Sequence, residues 1–200
     1  MNRIIIIGAS GHGKVVADIA KLVGYVDIVF LDSNSEIKEC AGYPVIGSDS
    51  RLKELEGDVF VAVGDGSVRK EIMESNSDRA YPILVHPNAV IAEGVTIGDG
   101  TVIMAGTVIN PEARIGKGCI VNTSSSIDHD CVVGDYSHVS VGSHLCGTVE
   151  VGENCWIGAG ATIINNITIC DDCFIGAGTV ITQSIIDSGT YVGVPGRKIR

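Results

Sequence analysis

The sequence predicts an α/β domain followed by a parallel β-helix, and three observations carry this prediction. Strand-like and helix-like segments alternate over the first 80 residues. From Val85 to Ile181, every sixth residue is a large aliphatic. Glycine is abundant, with 26 residues, whereas aromatic residues make up only 4% of the chain. Such a composition suits short strands, tight turns and a narrow interior.

The first half reads as alternating strands and helices. Residues 3–8, RIIIIG, form the continuous apolar run of a buried strand, followed by a glycine-rich turn and an amphipathic helix. Strands are also predicted in VDIVFLDS (26–33) and at the start of DVFVAVGDGS (58–67), and helices in RLKELEG and VRKEIMES. YPILV closes this half. The pattern predicts a small parallel sheet, a partial Rossmann-like unit, over residues 1–80.

Residues 81–200 are predicted to form the β-helix domain. The aliphatic series keeps one register over seventeen hexads, and a six-residue period is typical of a solenoid in which three hexads make one triangular coil. The aliphatics fill the coil interior. A second register, four positions later, is mostly small and lets each corner close; four cysteines in it are interpreted as corner packing: Cys119, Cys131, Cys155 and Cys173.

Charge and hydropathy exclude several classes of function. The formal net charge is −10 with a pI near 4.8, and no run rich in Lys or Arg occurs, so nucleic-acid binding is not expected. No apolar run approaches the ~20 residues that span a bilayer, and the N-terminal run is too short for a signal peptide. We expect a cytoplasmic protein with reduced cysteines and no membrane partner.

Two glycine turns follow predicted strands. In GASGHG (8–13) the order of strand, glycine turn and helix lets backbone N–H groups and the positive helix end approach a phosphate. Asp32, at the end of the second strand, is placed to bond a ribose or base edge, and VGDGS (63–67) supplies the second turn. The alternative is a sheet domain with tight turns and no ligand.

Three of the five histidines lie between residues 122 and 147. His129 stands between Asp128 and Asp130, and the residues alone fit equally a general base oriented by a carboxylate or a solvent-facing polar turn. His138 and His144 occupy equivalent positions of successive hexads, so they point from adjacent faces of the coil and cannot converge on an ion. No metal is therefore expected.

The chain resembles the sialic-acid and bacillosamine type of sugar acetyltransferase (NeuD- and PglD-like), within the hexapeptide-repeat acyltransferases. The matching motifs span nearly all of it: GASGHG, FLDS, VGDG, NTSSSIDHDC, SHVSVGSHLCG and YVGVPGRKIR. The resemblance implies a left-handed β-helix and an acetyl-CoA-dependent N-acetyltransferase acting on a nucleotide-linked amino sugar in bacterial glycan biosynthesis. The sequence keeps three alternatives open: a sialic acid or polysaccharide O-acetyltransferase, a zinc carbonic-anhydrase-like protein and a structural β-helix.

The resemblance also implies roles for single residues. His129 is the general base and Asp130 the acid that orients it. The reach of Asp130 stays open, because adjacent residues on a strand point apart. Asn122 helps to hold the acceptor or belongs to a polar ladder. The nucleotide sugar contacts Ser10, Gly11, His12, Asp32, Ser33 and Gly64, and acetyl-CoA contacts His138 and the main chain near Gly147, Ala159 and Ala177.

Family members are trimers with sites between subunits, so a homotrimer is expected. An outward column of four residues, spaced 18 apart, is apolar enough to suggest the interface: Ile120, His138, Trp156 and Phe174. His144 has no assigned role.

Overall fold

The N-terminal part is a small α/β unit built on a three-stranded parallel sheet. The computed structural model describes residues 2–199. Its first elements are β1 (Arg3–Ile7), α1 (Gly11–Leu22), β2 (Asp27–Leu31), β3 (Glu39–Cys40), β4 (Tyr43–Pro44), a 3₁₀ helix (Asp49–Glu54), β5 (Asp58–Val61) and α2 (Gly66–Ser75). The sheet order is β2-β1-β5, and all pairs are parallel. The predicted strand–helix alternation is confirmed.

Two local predictions are corrected. The segment RLKELEG forms only the end of the short 3₁₀ helix, because its apolar residues are too few to bury a full helical face. The segment YPILV does not belong to the first half as predicted. Its strand, Leu84–Val85, pairs with Val102–Ile103 and is the first strand of the solenoid.

The second part is a left-handed parallel β-helix of about six turns. Its two-residue strands stack in three sheets, here named faces A, B and C. Face A contains Leu84–Val85, Val102–Ile103, Ile120–Val121, His138–Val139, Trp156–Ile157 and Cys173–Ile175, extended by Gly189–Val192 and Arg197–Lys198. Face B contains Val90–Ile91, Val108–Ile109, Ser126–Ile127, His144–Leu145, Thr162–Ile163 and Val180–Ile181. Face C contains Thr96–Ile97, Arg114–Ile115, Val132–Val133, Glu150–Val151 and Thr168–Ile169.

The interior of the solenoid is the predicted column of aliphatic side chains. From Ile103 to Ile181, the hexad aliphatics are almost fully buried in one continuous core. The small-residue register does more than fill corners, because most of its hydroxyls and thiols donate to carbonyls of the next coil. Thr101 donates to Gly116 at 2.7 Å and Ser137 to Gly152 at 2.8 Å. The register therefore satisfies carbonyls that would otherwise be buried and unpaired.

The three edges of the prism are formed by tight turns with one residue in the left-handed region. Along the chain, edge AB follows face A, edge BC follows face B and edge CA follows face C. Many of these left-handed residues are not glycine: Asp130, for example, has φ +60° on edge BC. Asp and Asn tolerate this conformation better than most residues.

The α/β unit packs against face A. Leu84, Val102 and Ile120 share a core cluster with Val16 and Phe30 of the α/β unit. Ile120 is only 1% exposed, so the apolar column that suggested a subunit interface is partly covered by the chain's own N-terminal part. Ile120 and His138 are therefore buried within the chain, whereas Phe174 further along face A stays exposed. No helix within residues 2–199 is long and apolar enough to cross a membrane.

Candidate active site

His129 lies at the start of a turn on edge BC and is paired with its neighbour. Its Nδ1 is 2.7 Å from Oδ2 of Asp130. Because the carboxylate accepts, Nδ1 carries the proton and Nε2 is left with a free lone pair. The hydrogen bond that His129 donates to Asp130, followed by the charge of Asp128, raises the pKa of His129 above its ordinary value. The pair has the geometry of a general base with its orienting acid.

A second carboxylate supports this turn. The backbone N–H of His129 donates to Oδ1 of Asp128 at 2.8 Å. The same oxygen accepts from the side-chain amide of Asn110, one coil earlier, at 2.8 Å. The Asn110 hydrogen bond lowers the pKa of Asp128. Asp128 therefore stays ionised and holds the turn that carries His129.

Gly147 stands directly over His129 on the same edge, one coil further on. A Cβ placed on Gly147 would lie 2.6 Å from Nε2 of His129. Any side chain there would therefore occupy the space through which Nε2 reaches a proton. The predicted contact of Gly147 with acetyl-CoA would thus lie beside the base.

A second polar group lies on face A, where the α/β unit meets the solenoid. The Asn122 side-chain amide is 3.1 Å from Nε2 of His138, and its oxygen accepts from the N–H of Thr123. This arrangement makes Nε2 of His138 the acceptor and leaves a proton on Nδ1. The His138 ring sits 4.3 Å from that of Trp156. Burial, helped by the charge of Arg69, lowers the pKa of His138 to about 3, so the ring is neutral.

The first glycine turn opens helix α1. Ser10 is the N-cap residue in an extended conformation, and its hydroxyl makes no capping bond. Gly11 is exposed, with open space around its Cα. Nε2 of His12 is buried without a hydrogen-bond partner among the described residues. Burial, helped by Arg69, lowers the pKa of His12 to about 4. The start of α1 thus has open space around Gly11 and a neutral imidazole beside it.

Asp32 stabilises the glycine turn at residues 8–13 and also lines a cavity. Its Oδ2 accepts from the N–H of Ala9 at 2.7 Å, and its Oδ1 from that of Asn34 at 2.8 Å. Asp32 and Ser33 line a cavity of about 280 Å³ at the carboxyl ends of the parallel strands. Ligands of open α/β sheets bind at such ends. The remaining lining residues are Ile7, Gly8, Asp49, Val63, Val68 and Ile72.

The other predicted contact residues lie on different parts of the molecule. Gly64 lines a cleft of about 440 Å³ that also contains His138 and Trp156. Ala159 and Ala177 lie one above the other on edge AB, and both are exposed. Gly147 lies on edge BC, on the other side of face B. One chain therefore does not bring all the predicted acetyl-CoA contacts to a single edge.

Two groups of predicted site residues thus lie on opposite sides of the prism. The glycine turn with His12, together with Asn122 and His138, lies at face A. His129, Asp130 and Gly147 lie on edge BC, which is the edge opposite face A. The solenoid therefore lies between the glycine turn and His129 of the same chain.

Two cysteines of the solenoid lie close together. Cys170 and Cys173, in C-x-x-C spacing, have their Sγ atoms 3.6 Å apart. Within residues 2–199, no group of three or more His, Cys, Asp or Glu side chains could hold a metal ion.

The supporting roles of several residues were not predicted from the sequence. Asp128 and Asn110 carried a signal, because they lie 18 residues apart and therefore stack in successive coils. No signal in the sequence identified Arg69, since an arginine in a short polar helix normally faces solvent. It is 1% exposed and binds main-chain carbonyls of both halves.

Two family models match the chain. Residues 3–76 match the PglD N-terminal domain, and residues 84–111 and 148–183 match the bacterial transferase hexapeptide repeat. A curated relative, UDP-N-acetylbacillosamine N-acetyltransferase of Bacillus subtilis (strain 168), is 36% identical over 115 residues. This match covers 52% of the chain and 52% of the relative, so the alignment spans about half the length of that protein.

Solved structures match over the whole chain. The acetyltransferase domain of PglB from Neisseria gonorrhoeae FA1090, in complex with acetyl coenzyme A, is 38% identical with a TM-score of 0.96, covering 99% of each chain. PerB from Caulobacter crescentus, in complex with CoA and GDP-perosamine, is 34% identical with a TM-score of 0.95, covering 100% of this chain and 98% of the other.

Proposed function

Because this chain belongs to the PglD-type family of hexapeptide-repeat sugar acetyltransferases, we propose that it acetylates a nucleotide-linked amino sugar, with acetyl-CoA as donor, in bacterial glycan biosynthesis. The observation that carries the proposal is the His129–Asp130 pair, whose free Nε2 lies beside Gly147. The complexes of the relatives with acetyl-CoA and with GDP-perosamine support the choice of donor and acceptor class. We place the reaction in the cytoplasm.

The proposed chemical step is a direct transfer. The sugar nitrogen attacks the thioester carbonyl carbon, and Nε2 of His129 accepts the proton that the nitrogen loses. The tetrahedral intermediate collapses, the C–S bond breaks, and the leaving thiolate takes the proton from the imidazolium. Asp130 stabilises the imidazolium while it exists. Positioning the two reactants contributes up to roughly 7–11 kcal/mol in favourable cases, and the base about 100- to 10,000-fold.

Binding is divided between the two parts of the chain. Residues 1–80 would hold the nucleotide through the turn at Ser10, Gly11 and His12, together with Asp32, Ser33 and Gly64. Residues 81–200 would hold acetyl-CoA along the outside of the prism, at His138, Gly147, Ala159 and Ala177. Asn122, bonded to His138, would hold the acceptor where both parts meet.

We propose that the protein is a homotrimer whose sites lie between subunits. The geometry supports this proposal because the glycine turn at residues 8–13 and His129 lie on opposite sides of one chain. A site that contains both therefore needs a second copy. Face B suits the interface, because it separates edges AB and BC and its outward residues carry no Lys, Arg, Asp or Glu. These residues are Val90, Val108, Ser126, His144, Thr162 and Val180. His144, bonded to Ser126 at 2.8 Å, would lie within this contact.

The acceptor is tested by CoA release with a panel of UDP-, GDP- and dTDP-linked amino sugars and hydroxy sugars. We expect turnover with an amino sugar, and about a 100- to 10,000-fold loss of kcat in His129→Ala with the fold retained. His86→Ala, a histidine outside the site, is the matched control. Turnover with hydroxy sugars alone would make the protein an O-acetyltransferase, and an undiminished kcat in His129→Ala would exclude this base.

The shared site is tested by mixing subunits of two inactive variants. His129→Ala and His12→Ala are refolded together, each having been measured alone. If sites form between copies, about a quarter of the sites in a 1:1 mixture regain both residues, because assembly in a closed ring is random. No recovery in mixed trimers means that both residues of a site come from one chain.

A further inference from the structure

Arg69 is a buried cation at the joint between the two parts of the chain. Its guanidinium donates to the carbonyls of Val63 at 2.7 Å and Gly64 at 3.1 Å, in the loop after β5. It also donates to the carbonyls of Gly118 and Tyr136 on edge CA of the solenoid. No ion pair among residues 2–199 involves Arg69.

Burying a guanidinium in this way costs free energy unless its N–H groups make hydrogen bonds of good geometry. A buried charge loses its hydration, and no carboxylate among residues 2–199 forms an ion pair with Arg69. Four of the five N–H groups of the planar guanidinium donate hydrogen bonds. The accepting carbonyls belong to the loop after β5 and to edge CA. A lysine cannot make the same set of hydrogen bonds, because its ammonium is a compact point charge and not a planar group with several donors.

Two more contacts show how tightly the start of α2 is held at this joint. The side-chain amide of Asn154 donates to the hydroxyl of Ser67 at 3.0 Å. A Cβ on Gly66 would lie 2.7 Å from the carbonyl oxygen of Tyr136. The loop at 63–67 is therefore fixed to edge CA, with Arg69 at its centre.

We propose that Arg69 is a positioning residue for acetyl transfer. By tying the loop of Gly64 to the solenoid, it sets where the sugar amine lies relative to the acetyl group and the base. This inference rests on the proposed function, since Gly64 is one of the proposed nucleotide-sugar contacts. A displacement of about 1 Å far from the reacting atoms can cost about 100-fold in rate.

The test compares Arg69→Lys and Arg69→Met with two matched controls. Arg79 also donates to main-chain carbonyls, those of Leu55 and Gly57, but within the α/β unit alone. For both Arg69 variants we expect kcat to fall about 10- to 100-fold. The KM for acetyl-CoA and the Kd for the nucleotide, measured by calorimetry, should stay within about threefold. Arg79→Lys and Arg79→Met should keep the wild-type kcat.

An unchanged kcat in folded Arg69 variants would overturn the proposal, even if their Tm falls. So would a rise in nucleotide Kd that accounts for the whole loss, since Arg69 would then act in binding alone. If neither variant folds, Ser67→Ala removes only the bond from Asn154 at the same joint. A several-fold loss of kcat supports the proposal and an unchanged one overturns it. Wild-type protein without transfer to any amino sugar refutes the proposed function, independently of these comparisons.

Discussion

The pairing of His129 with Asp130 depends on one backbone angle. Adjacent residues on a strand point to opposite sides, so the sequence left the reach of Asp130 open. The two residues form an edge turn instead, with Asp130 in the left-handed region at φ +60°. In this turn the carboxylate of Asp130 points back toward Nδ1 of His129. The short side chain of Asp130 is thus sufficient for the contact.

Asp130→Asn should move the pH profile of the reaction. The base works only when neutral, and the hydrogen bond that it donates to Asp130 raises the pKa of His129. The value of kcat/KM should therefore fall on acidification through a pKa above about 6.5. In Asp130→Asn the acidic limb should move to lower pH, while kcat at neutral pH falls by about tenfold or more because the ring loses its orientation. Profiles from pH 5 to 9 measure both effects. An acidic limb at the same pH in both proteins would contradict the role of Asp130.

At the scale of elements, the hexad register predicted more than any other feature of the chain. It located the solenoid, its interior column and its small-residue positions, because a side chain repeats its environment in every coil. It did not show that the small residues donate hydrogen bonds, since this depends on the distance to a carbonyl of the next coil. Ser137, for example, donates to Gly152 and accepts from the N–H of Cys155.

Ser137→Ala should therefore destabilise the fold more than the loss of a single hydroxyl group suggests. It leaves a buried carbonyl and a buried N–H unpaired, at a cost of about 1–3 kcal/mol each. Urea denaturation measures the difference. Ala161→Ser is the control in the opposite direction, since it adds a hydroxyl in the same register, and it should be tolerated better. Equal stability of Ser137→Ala and wild type would mean that the register only fills space.

At the scale of the whole molecule, the joint between the two parts holds two neutral histidines. Burial, assisted by Arg69, lowers the pKa of His12 to about 4 and that of His138 to about 3. Both take up a proton below about pH 6.5 when the chain unfolds. Their contribution to stability is therefore present above that pH and is lost as the pH falls toward the folded values.

Acidification from pH 6.5 to 5 should lower the free energy of unfolding by about 1.4 kcal/mol per pH unit for each histidine. His138→Gln should remove one such contribution and make the profile shallower. Urea titrations at several pH values, followed by the fluorescence of Trp156 beside His138, measure the slope. A slope that is the same in both proteins would show that His138 is not held neutral.

The sequence by itself determined the α/β fold of the first part, the solenoid that follows it and the column of aliphatic side chains in its interior. These features are local or periodic, so each residue carries its own signal. Only the tertiary structure decided which faces are covered, because this depends on contacts between residues far apart in the chain. Packing of the α/β unit on face A buried Ile120 and enclosed Arg69, and it left His129 on the opposite edge. A period of six residues specifies which side chains point outward, but not what covers them.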